Sequence, residues 1–204
     1  MTQVKSQSER KKAAIIEAAI VEFLEQGFNG TSMDKISARA NVSKRTVYNH
    51  FASKESLFTA ITADVWCQAL AATDFAYRPD RPLDEQLTAI AEQELELLSS
   101  KHFIDIIRLL FTEKALTPSL GQDAVNRVNQ GESGLSRWIQ AGIKDNRLIE
   151  VSPEFASTQF LSLLKAFAFW PQIVQQAPFP SATESQAIIE SAVQMFLKQY
   201  QKDQ

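Results

Sequence analysis

The stretch from Asn41 to Glu55 reads NVSKRTVYNHFASKE and holds the pair Ser-Lys twice, ten residues apart. Serine before a helix caps its first free amides, and those amides make the helix start positive. A lysine there costs on the order of a few tenths of a kcal/mol in the free protein. It becomes favourable once an anion sits between the ammonium group and the helix end. The chemistry open to Lys44 and Lys54 is therefore to hold phosphates. Between them, Lys44, Arg45, Thr46, Tyr48, Asn49 and His50 crowd a short helix whose inward side needs only Val47 and Phe51. Long donors at the N-terminal end of such a helix can reach base edges in a major groove, with arginine favouring guanine. Tyr48 and His50 can donate to phosphate oxygens. Each residue alone reads as an ordinary solvated or half-buried side chain; the joint pattern of caps, spacing and basic bias carries the functional reading.

These side chains need rigid elements to hold them, and the sequence supplies helices. Glycine is scarce, with six in 204 residues, period-2 alternation is absent, and period 3.6 recurs throughout, so the chain reads as all-α with about nine helices. Ile16, Ala19, Ile20, Phe23 and Leu24 form a stripe over residues 8–26, and Gly27 supplies a left-handed stop. Thr31 and Ser32 offer N-caps for a short second helix, which ends at Asn41, a residue tolerant of left-handed backbone. Ser43 caps a third helix of about two turns. Ser53 caps a fourth that runs from Lys54 into the seventies. Three short helices with tight turns make a helix-turn-helix plan with a supporting helix.

After the break at RPDRP, a fifth helix runs from Leu83 to about Leu98. The stripe Phe103, Ile106, Ile107, Leu110, Phe111 closes at Pro118, and Thr117-Pro118 offers the start of a short helix. Leu135, Trp138, Ile139 and Ile143 mark another. Ser152-Pro153-Glu154 opens a long helix to about residue 171, and the last helix spans about 184–200. These last two are apolar on more than one face and must be covered on more than one side.

The net charge of −3 conceals an asymmetry: residues 1–54 carry nine Lys and Arg against five acids, a net of +4, and the remainder carries −7. A basic head on an acidic body directs only the head to a polyanion. Cys67, the single cysteine, cannot form an internal disulfide and reads as a buried small hydrophobe. With only His50 and His102, no metal site and no cofactor are expected. No apolar run reaches the roughly 20 residues needed to cross a bilayer, and MTQVKSQSERKK lacks the apolar core of a signal peptide. A cytoplasmic protein without a membrane partner is expected.

The stretch from about Ala13 to Phe58, above all TSMDKISARANVSKRTVYNHFASKESLF, resembles the DNA-binding domain of the TetR family of bacterial transcriptional regulators. The run FIDIIRLLFTEKALTPSL and the later GLSRWIQAGIKDNRLIEVSPEFA look similar to its AefR-like branch. The resemblance implies a helix-turn-helix domain over residues 1–54 and a helical ligand-binding and dimerisation domain over 55–204. It implies contacts to double-stranded operator DNA from Thr31, Lys44, Arg45, Thr46, Tyr48, His50 and Lys54, to which the crowding on the short helix adds Asn49. Tyr48, His50 and Lys54 are the backbone contacts, and Lys44 and Arg45 the base readers. Asn41 stands where glycine is commoner and Arg45 where many members have glycine, which leaves the operator open.

Family members form homodimers through their last two helices, which fits the two doubly apolar helices here. They commonly bind a small molecule and release DNA, so the expectation is a repressor freed from a palindromic operator by a largely apolar effector. Candidate pocket walls are Trp66, Phe103, Ile107, Phe111, Trp138, Phe160, Phe167 and Trp170, with His102 and Lys165 able to orient a polar end. Aromatics in an all-helical protein are mostly core, so about half of these are expected to touch a cavity. Two alternatives stand beside this. One is a DNA-binding architectural or cell-division factor that ignores small molecules. The other is an enzyme using the helical interior, against which stand the separated histidines and the lack of a nucleophile elbow or phosphate-binding glycine loop.

Overall fold

The structure, a computed structural model, describes residues 6–71, 75–116 and 134–202, without the side chains of residues 66, 68, 70 and 113–116. Its helices are α1 (Gln7–Gly30), α2 (Met33–Arg39), α3 (Lys44–His50), α4 (Lys54–Ala71), α5 (Leu83–Ser99), α6 (Lys101–Leu116), α7 (Gly134–Lys144), α8 (Pro153–Ala168), α9 (Trp170–Gln175) and α10 (Ala182–Tyr200). No strand occurs among the described residues, and the all-α expectation holds. The helix expected after Thr117-Pro118 lies outside them. The chain forms two compact units, whose described parts are residues 6–65 with 105–116, and 66–71, 75–104 and 134–202.

In the first unit, α1 buries Ile15, Ala18, Ala19, Ile20 and Phe23, while Leu24 is 41% exposed. The buried stripe is thus turned by one residue from the expected one. Ala-Ala-Ile-Ile offers apolar side chains to two adjacent faces, and each residue rotates a helix by about 100°. Tertiary pairing picks the face. Glu22, 7% exposed, lies on it and accepts from Arg39 Nε of α2 at 2.7 Å, while Arg39 Nη2 reaches Glu25 at 2.6 Å. The hydrogen bond to Glu22, followed by the charges of Glu25 and Glu22, holds the Arg39 guanidinium above its already high ordinary range.

At Gly27 the backbone takes φ 70°, ψ 166°, and the chain then makes one more turn to Gly30. That conformation is open to glycine and strained for any side chain, so Gly27 kinks α1 rather than capping it in the left-handed helical region. The kink brings Phe28 against Phe23 and against Phe58 of α4, with centroids at 5.3 Å in both cases. Leu57, Phe58 and Ile61 of α4 are all buried. Packing therefore carries the first unit past residue 54, where the sequence reading ended it, into α4.

In the second unit, α8 packs on α5, α7, α9 and α10, and α10 also packs on α5. Ser152 caps α8 by accepting from Phe155 N at 3.2 Å, with Pro153 in the first turn. The long helix expected to about 171 breaks earlier, at Phe169, because Pro171 has no amide to donate and crowds the carbonyl four residues back. Buried polar groups are matched. Gln86 Nε2 donates to the carbonyls of Arg78 (2.9 Å) and Arg81 (3.0 Å), and its Oε1 accepts from Arg78 N (2.8 Å) and Trp138 Nε1 (3.1 Å). A bridge between Leu148 and Gln201, reinforced by Ile149 N to Tyr200 O at 2.8 Å, ties the α7–α8 turn to the end of α10. At Gly142 a Cβ would stand 2.8 Å from Leu148 Cδ1, so any larger residue there would have to displace the Leu148 side chain. Cys67 is exposed rather than buried. No helix among the described residues is long and apolar enough to cross a membrane, and none of them form a group of three or more side chains able to hold a metal ion.

Candidate nucleic-acid interface

Two local devices set the short helix α3. Asn41 takes φ 52°, the left-handed turn expected of it, and Asn41 N and Val42 N donate to Ala38 O and Ser37 O at 3.2 and 3.1 Å. Ser43 then caps α3, its Oγ accepting from Thr46 N at 3.1 Å and lying 2.8 Å from Thr46 Oγ1. Val47 is fully buried and Phe51, the C-cap residue, is 6% exposed; these two fasten the helix to the first unit. Lys44, Arg45, Tyr48 and Asn49 face outward, and Thr46 and His50 are half-buried. Tyr48 is 53% exposed, an unusual position for a ring.

The candidate contacts differ in how far they are already engaged. Arg45, Tyr48 and Asn49 side chains make no hydrogen bond to another described residue. Lys44 Nζ lies 2.6 Å from Asp34 Oδ2 of α2, in an exposed pair that the sequence reading missed. Thr31, 4% exposed, turns its hydroxyl inward to donate to Glu22 O at 3.0 Å and Gly27 O at 2.9 Å. The N-cap of α2 is Ser32, which accepts from Lys35 N at 3.3 Å. Lys54 Nζ donates to Phe28 O at 2.9 Å and sits 4.6 Å from the centre of the Phe28 ring. Thus α3 brings six candidates to one surface helix, while Thr31 and Lys54 are engaged at the end of α1. These long-range partners carry no signal in the local sequence pattern.

The candidate effector residues differ in burial. In the second unit, Trp138 and Phe160 are core. Trp138 stacks edge-on to Tyr77 at 5.7 Å, and Phe160 meets Phe196 of α10 at 5.4 Å. Phe103 and Ile107 of α6 are also buried. Phe111, Phe167 and Trp170 are instead 49%, 59% and 47% exposed, and the Trp66 side chain lies outside the described residues. His102 is exposed, and Lys165 pairs with the buried Glu94 at 3.2 Å.

A capped two-turn helix carrying outward donors, set by a left-handed turn behind a second helix, defines a helix-turn-helix regulator of transcription. Residues 15–61 match the pattern described as bacterial regulatory proteins, tetR family, and residues 85–202 match the AefR-like transcriptional repressor C-terminal domain. The chain belongs to the TetR family of transcriptional regulators. A TetR family regulator from Pseudomonas syringae pv. tomato str. DC3000 is 40% identical, with a TM-score of 0.86 over 98% of this chain and 100% of that one. The flavonoid-responsive regulator FrrA is 28% identical, with a TM-score of 0.74 over 96% and 100%. The uncharacterised HTH-type transcriptional regulator YhgD of Bacillus subtilis (strain 168) is 29% identical over 78% of this chain and 83% of its own length.

Proposed function

We propose that the chain is a homodimeric, cytoplasmic repressor that holds a palindromic operator with α3 and leaves it when a small, largely apolar effector binds. The observation that carries this reading is α3 itself. Its buried side is reduced to Val47, with Phe51 behind it, and Arg45, Tyr48 and Asn49 stand outward, their side chains making no hydrogen bond to another described residue. Arg45, with guanine as its favoured partner, is assigned base readout. Tyr48 and His50 are assigned the phosphates.

The dimer reading is supported by the outer face of α8 and α10, where Phe155 and Met195 are 57% and 55% exposed and flank a groove of about 690 Å³ that also includes Leu163. In this reading a second copy covers that face, and the dimer reads two half-sites about 34–36 Å apart, one with each α3. The effector reading draws on FrrA, described as flavonoid-responsive, which makes flavonoids the first compounds to try. An effector releases DNA only if it prefers the protomer geometry in which the two α3 helices no longer match the grooves.

The test is a titration of a duplex from upstream of the protein's own gene, with a random duplex of equal length as reference, with and without flavonoids. Two protomers should bind the upstream duplex preferentially, and an effector should weaken that binding while raising the Tm of the free protein. Binding no tighter than to the random duplex contradicts the regulator reading. Tight binding that no effector weakens removes the ligand-responsive part alone.

A further inference from the structure

The end of α1 leaves carbonyls with no following turn to satisfy them, and α1 carries no basic residue in its own last turn. Three side chains from outside the helix take up that role. The Thr31 hydroxyl donates to Glu22 O and Gly27 O at 3.0 and 2.9 Å. Lys35 Nζ, from α2, donates to Gly30 O at 3.3 Å. Lys54 Nζ, from the first turn of α4, reaches Phe28 O at 2.9 Å and Thr31 O at 3.5 Å. Lysine near a helix C-terminus is favourable to the dipole, so Lys54 opposes the dipole of its own helix while completing that of α1. Its ammonium group also lies over the face of the Phe28 ring, 4.6 Å from the centroid, and that ring packs edge-on against Phe58 of α4.

The start of α4 is already furnished from within the chain. Ser53 Oγ accepts from Ser56 N at 3.3 Å and Ser56 Oγ from Ser53 N at 3.2 Å. The Glu55 carboxyl stands at the same end, held below its ordinary range first by the Ser53 hydroxyl and then by its own amide. A phosphate arriving there meets a carboxylate and an ammonium group turned away.

We propose that Thr31 and Lys54 are positioning residues for DNA recognition: they lock the kinked end of α1 to the start of α4, and so fix where α3 stands, without touching phosphate. This rests on DNA binding by the chain. Lys54 joins the start of α4 to the end of α1, and α1 and α2 pack on α3 in the first unit, so loosening the lock changes the pose of α3 more than the charge it presents.

The experiment uses the full chain with Lys54→Met, which keeps an unbranched chain of similar length and removes the ammonium group with its hydrogen bonds and ring contact, Thr31→Val, which removes the hydroxyl, and Lys54→Arg. Thermal unfolding is measured together with binding to the upstream duplex and to a random duplex across a salt series, well below each Tm. For Lys54→Met and Thr31→Val, Tm should fall and affinity for the upstream duplex should drop severalfold. The slope of log K against log salt should stay unchanged, and Lys54→Arg should restore much of the loss. A slope shallower by about 0.9 for Lys54→Met, with Tm unchanged, marks a phosphate contact and overturns the proposal. A lower Tm with unchanged DNA affinity reduces the lock to stability alone and also overturns it. If Lys54→Met does not fold, Thr31→Val decides by the same criteria. Failure of the wild-type chain to prefer the upstream duplex refutes the regulator reading, while unchanged Tm in both variants refutes the lock independently.

Discussion

Lys44 meets Asp34 in the free protein, at 2.6 Å and with both side chains largely exposed. A phosphate approaching Lys44 must compete with that carboxylate, whose partner is held by about 0–1 kcal/mol at most, as is usual for exposed pairs. Asp34→Asn should therefore tighten binding to any duplex, specific or random, by up to about fivefold and more at low salt. The check is fluorescence anisotropy on both duplexes, and weaker binding by the variant would show that Asp34 holds Lys44 in its productive pose instead. The pair is invisible in the sequence because ten residues and a turn separate its members. The same holds for Lys54 and Phe28, 26 residues apart. The caps, by contrast, were legible. Ser43 and Ser152 cap residues three positions on, and Asn41 answers a purely local demand for positive φ.

At the scale of elements, the starts of α1, α2, α3, α8 and α10 are capped by serine hydroxyls, joined in α1 and α10 by a glutamate. Ser181 and Glu184 form a reciprocal box at the start of α10, with Ser181 N and Oγ donating to Glu184 Oε2 at 2.8 and 2.7 Å. The Ser181 hydroxyl, followed by its amide, holds the Glu184 carboxyl below its ordinary range. A carboxyl lowered by folding stabilises above the unfolded pKa and loses that contribution as pH falls through the folded value. Glu184→Gln should therefore lower Tm at pH 7, and the gap should close below about pH 4. A Tm gap that persists at pH 3 would trace the effect to shape rather than charge. Element boundaries were less legible where two signals competed. The apolar pattern of α8 continues through Phe167 and Trp170, yet Pro171 ends the helix. In α1 two apolar faces were on offer, and the tertiary contacts, among them Glu22–Arg39 and Phe23–Phe58, lie on one of them.

For the whole molecule, the asymmetry of charge matches the placement of chemistry: residues 1–54, with a net of +4, carry α3, and the remainder, with −7, carries the apolar face of α8 and α10. The fold class followed from periodicity because helices report themselves locally. Periodicity does not sort candidate effector residues, since a buried aromatic and a cavity-lining one share the same spacing. Trp138 and Phe160 are packed against neighbouring rings, and Phe167 and Trp170 lie on the surface. Selectivity is the property of the molecule that matters to a regulator, as the ratio of affinity for its own site to affinity for random DNA. The central claim is that α3 reads bases and that Arg45 does so directly. The measurement is that ratio, at one fixed salt concentration, for the wild-type chain and Arg45→Ala on upstream and random duplexes. Arg45→Ala should lose about 1–3 kcal/mol on the upstream duplex and change little on the random one, collapsing the ratio. Equal losses on both duplexes would make Arg45 a phosphate contact and contradict the account.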